Sequence, residues 1–214
     1  MKRMLLVVIA ALLATNLANA KEKEGEAADQ AELAEVNYTK AIEARTADIL
    51  KVLALTDTNK IAHVHDAVIG QYRALRAWHD ENDGELKTAK SDTNLVAKIR
   101  ATMKPVHEAF LSKLAEDLTP EQVEQVKDKM TYGKVQFTFK GYLVAYPNLA
   151  EEHKQKIMEL LKQAREEAMD GGSSDEKTAV FQRYKGKINN YLSKQGIHPE
   201  KTKPISSPPT NAPV

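Results

Sequence analysis

Two groups of residues could carry chemistry. His63, His65 and Asp66 stand close together, and His79 follows Trp78 and precedes Asp80 and Glu81. A helix turns about 100° per residue, so side chains at i and i+2 point roughly 200° apart and one metal ion cannot take both His63 and His65. The helical spacing that works is i, i+4, and the chain contains neither His-x-x-x-His nor His-Glu-x-x-His. His65 and His79 fall on one helix face, but fourteen residues of helix set them roughly 21 Å apart. No metal site is therefore expected, and His65 is read first as a core-stripe residue and second as a proton carrier. Trp78 has two readings: it covers a core edge, or it stacks on a sugar ring beside carboxylates that hold the hydroxyls.

Other reaction classes find little support. The chain has no Gly-x-Ser-x-Gly and no glycine-rich loop after a strand. It has no cysteine, which excludes thiolate catalysis, cysteine zinc sites and lipid attachment at a cysteine. Glu151-Glu152 and Glu166-Glu167 read as solvated helix faces. Residues 177–194 hold five basic side chains and no acidic one, with Arg183, Lys187, Asn190 and Lys194 on one face. That face is a candidate docking surface for an anionic partner. It lacks the stacking aromatics of a nucleic-acid site, so no nucleic acid is expected. The candidate binding residues are His65, Trp78, His79, Tyr142, Arg183, Tyr184, Lys187, Asn190 and Tyr191, with no catalytic residue and no cofactor.

The elements that must position these residues read as helices. Apolar side chains recur at i, i+3, i+4 from Leu33 to Leu53, from Ile61 to His79, and from Leu95 to Leu118. Asp57 or Thr58 caps the second helix, and Asn82-Asp83-Gly84 is expected to end it. Asp92 or Thr93 starts the third, and Pro105 should kink it or split it. Thr119-Pro120-Glu121-Gln122 is a strong capping box opening a short helix to about Met130. Asn148 to Glu151 opens another, stopped by Gly171-Gly172, and Ser174 caps the last, closed by Gly196. The stretch from Tyr132 to Tyr146 carries five of the twelve aromatics. Val135, Phe137 and Phe139 alternate there with polar residues, so an extended crossing segment is expected, with a helix as the alternative. The fold expected is all-α, an irregular bundle of five or six helices plus that segment.

The ends carry different signals. Met1-Lys2-Arg3, an apolar run from Met4 to Leu13, and Ala18-Asn19-Ala20 lay out a secretory signal peptide cleaved after residue 20. A single helical domain is expected over 21–198, its first ten residues frayed, followed by a disordered proline-rich tail over 199–214. Removing Lys2 and Arg3 takes the formal charge from +1 to −1. A near-neutral exported chain with no second apolar run is expected to be soluble, in the periplasm or outside the cell.

Several words of the sequence go further. Met130-Thr-Tyr-Gly-Lys134, Gly141-Tyr-Leu143, Tyr146-Pro-Asn-Leu149, Ala164-Arg-Glu166, Ala168-Met-Asp170, Gly172-Ser-Ser174 with Glu176-Lys177, and Tyr184-Lys-Gly-Lys-Ile-Asn-Asn-Tyr-Leu192 together resemble domain-of-unknown-function family 3826. The likeness is densest from Leu118 to Leu192. It implies exported bacterial proteins in a setting of polysaccharide use, and it transfers no catalytic residue. A second similarity is to Spy-type periplasmic stress chaperones with two Leu-Thr-x-x-Gln motifs. Leu118-Thr-Pro-Glu-Gln122 fits one, and the second departs, with Ala150 for Thr and His153 for Gln. The leading function is thus a non-enzymatic binding or accessory protein, its partner a glycan or another envelope protein. A Spy-like chaperone is the alternative, and an unrecognised hydrolase or lyase comes third.

Overall fold

The computed structural model describes residues 29–200. The signal peptide over 1–20 and nearly all of the proline-rich tail lie outside the described residues. The chain divides into two compact units, Met1–Glu43 and Ala44–Val214. Residues 29–53 are helical (α1), and Ile49 and Leu53 are buried in the second unit. All that follows concerns that second unit.

The remaining helices are α2 (Thr58–Thr88), α3 (Thr93–Ala101), α4 (Lys104–Asp117), α5 (Pro120–Met130), α6 (Lys134–Ala145), α7 (Glu151–Met169) and α8 (Ser174–Lys194). No strand occurs among the described residues. The class is all-α, with more helices than the five or six expected.

Local chemistry sets most boundaries. Asp57 accepts from the backbone N–H groups of Asn59 and Lys60, and Asp92 does the same for Asn94 and Leu95. Pro105 divides the third helix. It sits in the first turn of α4, where its missing N–H costs nothing. Thr119 and Gln122 close the expected capping box. The cap of α8 is Ser173 rather than Ser174, because Glu176 three residues on completes a second box with it.

Two further expectations fail. Asn82-Asp83-Gly84 does not end α2, which continues to Thr88. A glycine inside a helix costs only about 1 kcal/mol relative to alanine. The local polar side chains bond along the helix instead of bending it away. Asn82 donates to the Trp78 carbonyl at 2.7 Å, and Thr88 donates to the Gly84 carbonyl at 2.7 Å. The stretch 132–146 is likewise not extended but forms α6. Gly133, at φ 62°, supplies the left-handed turn that redirects the chain from α5. Val135, Thr138 and Tyr142 are then buried at helical spacing, whereas Phe137 of the apparent alternation is exposed.

Packing ties these elements to a common site. α7 lies most extensively against α8, with α6 and α5 also on it; α2 packs on α4 and α3. The α6–α8 core buries Val135, Tyr142, Ile157, Leu161, Phe181 and Ile188. Ala164 and Ala168, both fully buried, let α8 approach α7 closely. The turn between α7 and α8 comes to rest against α2 at His79.

Candidate functional site

The turn at Gly171-Gly172 needs glycine where it approaches α2 most closely. A Cβ on Gly172 would lie 2.8 Å from two ring carbons of His79. The ring is pinned on both sides. Its Nδ1 donates to Asp83 Oδ1 at 2.9 Å, and its Nε2 donates to the Asp170 carbonyl at 2.8 Å. Two acceptors, one on each nitrogen, suit the imidazolium. Burial works against that charge, but the Asp170 carbonyl and the Asp83 and Glu176 carboxylates outweigh it and raise the His79 pKa.

This ring forms part of the wall of a cleft of about 310 Å³. Trp78, His79, Asp83 and Leu86 come from α2, and Arg100 and Met103 from the α3–α4 junction. Glu167, Asp170 and Gly171 come from the end of α7, and Glu176, Ala179, Val180 and Arg183 from α8. The half-buried Trp78 is held by its Nε1–H, which donates to Thr102 Oγ1 at 2.9 Å. Its ring meets that of His79 edge to face at 5.0 Å. The break at Pro105 thus also serves the cleft, since Thr102 lies between α3 and α4. Arg183 pairs with Glu167 across the α7–α8 seam. Among the described residues Arg100 makes no ion pair.

Beneath the cleft lies a chain of charges. His107 donates through Nδ1 to Asp170 Oδ1 at 2.7 Å, and its Nε2 stands 3.7 Å from Glu166. These two carboxylates overcome burial and push the His107 pKa up to about 9. Burial opposes the charge on Glu166, yet His107, Lys127 and Arg165 hold its carboxyl down to about 2. Arg165 is 3% exposed and bridges Asp128 at 2.6 Å, Glu124, and Glu166 at 3.4 Å. Glu166 is therefore part of a half-buried network and not the solvated residue that the Glu166-Glu167 pair suggested. Lys177, one of the five basic residues of 177–194, is 4% exposed and donates to the Met130 carbonyl at 3.1 Å.

Of the nine nominated residues, Trp78, His79 and Arg183 line the cleft. Tyr142 and Tyr184 are buried in the α6–α8 core, and the Tyr142 hydroxyl donates to Asn189 Oδ1 at 2.8 Å. Lys187 holds its ammonium 3.9 Å from the Tyr184 ring centroid. The Tyr191 hydroxyl bonds His153 at 2.8 Å. Asn190 is exposed on α8, and His65 lies far along α2 beside Asp66, at 3.0 Å. His63 turns instead to Asp117, at 3.1 Å, so the two rings diverge.

Asp83, Asp170, Glu176 and Arg100 were not nominated. Asp83 was readable in principle, because it stands four residues after His79. It was hidden by the expectation that α2 stops there. Glu176 was legible only as a capping residue.

Residues 39–204 match the family described as Protein of unknown function (DUF3826). The chain belongs to this family. Every lining residue of the cleft, from Trp78 to Arg183, falls within the DUF3826 region, as does the network beneath it. No curated protein matches the chain.

Proposed function

We propose that this DUF3826 protein is an exported, non-enzymatic binding protein whose ligand, a saccharide, sits in the Trp78–Arg183 cleft. The observation that carries the reading is the composition of the cleft. A single tryptophan is fixed in place by Thr102, and two arginines and four carboxylates surround it. Sugar rings offer apolar faces to an aromatic ring and hydroxyls to charged groups, so this mixture suits them. The exposed Arg100 is suited to a sugar carboxylate. His107 has both ring nitrogens facing carboxylates and a pKa pushed up to about 9, so it holds its proton at neutral pH and is a poor general base, which favours a binding role over a catalytic one. Export is supported by the positive start, the apolar run and Ala18-Asn19-Ala20. Among the described residues no helix is long and apolar enough to cross a membrane.

Affinity electrophoresis of the purified protein in gels containing neutral or uronic-acid polysaccharides tests this reading. Retardation by at least one polysaccharide is expected, lost in W78A and weakened in R100A. Free migration in every gel would overturn it.

A second reading, a Spy-like holdase, is favoured by a different surface. Phe137 and Val144 are 39% and 61% exposed on α6, with the exposed Lys140 on the same face. An apolar and basic patch of this kind suits unfolded, acidic clients. It predicts slower aggregation of a denatured client, diminished in F137E and unchanged in W78A. No slowing at all would exclude it.

A further inference from the structure

One cluster in the cleft has a geometry that saccharide binding does not require. Ligand-capable atoms of His79, Asp83 and Glu176 lie within 4.8 Å of one another. His79 and Asp83 are one helical turn apart on α2, and Glu176 stands in the first turn of α8. We propose that these three side chains bind one divalent transition-metal ion, of the Zn²⁺ or Mn²⁺ class.

Three features outside the triad prepare it. The Asp170 carbonyl accepts from His79 Nε2, which fixes the ring and directs Nδ1 toward Asp83. Metal-ligating histidines characteristically donate their other ring N–H to a carbonyl or carboxylate in this way. Gly172 passes so close to the ring that a Cβ there would lie 2.8 Å from its carbons. Glu176 is held by the backbone N–H groups of Gly172 and Ser173, at 2.7 and 3.2 Å, both to Oε2. Its Oε1 is the oxygen left to turn to an ion.

The donor set and the charge agree. One imidazole with two carboxylates suits Zn²⁺ or Mn²⁺ better than Mg²⁺ or Ca²⁺, which prefer all-oxygen shells. A dication displaces the single proton on Nδ1 and balances both carboxylates. Two neighbouring cations are engaged elsewhere, Arg183 by Glu167 and Lys177 by the Met130 carbonyl, while Arg100 also lines the cleft. The cleft, about 310 Å³, leaves room for water to complete the coordination. The site shares the cleft with the saccharide reading but does not rest on it.

The only tryptophan of the chain makes the test direct, since its ring centroid is 5.0 Å from that of His79. Ni²⁺ is added to the metal-stripped full-length mature protein without saccharide, and Trp78 emission is followed. Saturable quenching at one ion per chain is expected, and Zn²⁺ should compete with it and raise the melting temperature. D83N removes a ligand charge without changing shape. E176Q does the same and keeps the cap, because Gln serves at that position. Each should weaken Ni²⁺ binding at least about tenfold, the lower end for loss of even an outer-shell partner. Unsaturable quenching, or unchanged affinity in both variants while they melt like the parent, would overturn the site. Polysaccharide gels run in EDTA keep the two readings apart, since saccharide binding there is expected to survive.

Discussion

Gly172 is the residue on which the geometry of the cleft depends most. A methyl group there would meet His79 ring atoms at 2.8 Å, and the ring cannot swing away without losing its bonds to Asp83 and the Asp170 carbonyl. Overpacking of this kind typically costs about 1–3 kcal/mol. G172A should therefore lower unfolding free energy by that amount in denaturant titration, while G186A, with nothing within 4 Å of its added Cβ, should not. His107 makes a second prediction through pH. Its pKa rises from 6.5 to about 9 on folding, so its stabilisation is full below about 6.5 and is lost as pH climbs through about 9. Glu166 falls from 4.5 to about 2, so its contribution is present above about 4.5 and is lost as pH drops through about 2. The groups facing His107 are Asp170 and Glu166, the latter also held by Lys127 and Arg165. Stability should decline between pH 6.5 and 9, and H107Q should flatten that decline. Chemical denaturation across this range measures both.

The helices show which sequence signals act locally and which are overridden. The capping box at Thr119, the aspartate caps and the split at Pro105 were legible because each is settled within four residues of chain. The run through Asn82-Asp83-Gly84 was not legible. Turn propensity there is real, but the hydrogen bonds of Asn82 and Thr88 to helix carbonyls offset it. The alternation in 132–146 misled for another reason. Period two describes a strand only if a partner exists, whereas Tyr142 reaches Asn189 across to α8 and fixes a helix. Two predictions belong at this scale. T119A should cost about 1 kcal/mol, the usual loss of a threonine cap. R165A should cost about 3–5 kcal/mol, because it leaves Asp128, Glu124 and Glu166 without the buried cation that joins α5 to α7. Thermal or urea unfolding distinguishes the two, with R165A by far the larger effect.

For the molecule as a whole, the candidate site was legible in part. Trp78, His79 and Arg183 were nominated from their types, and they meet although about a hundred residues separate Trp78 from Arg183. Tyr142 and Tyr184 were nominated on the same grounds, and the core absorbed them. Sequence shows which aromatics exist, but only packing decides which of them keep a face to the cleft. Membership of DUF3826 places the cleft inside the family region without assigning it a ligand. The export reading predicts a mature N-terminus at Lys21, and N-terminal sequencing of protein recovered from the periplasm or medium checks it. The central claim is that the cleft binds saccharide, and its sharpest test is a titration of Trp78 emission with soluble oligosaccharides in EDTA. A saturable change in emission, weakened in R100A and R183A, is the result expected. No change with any neutral or uronic-acid oligosaccharide, from protein that remains folded, would contradict it.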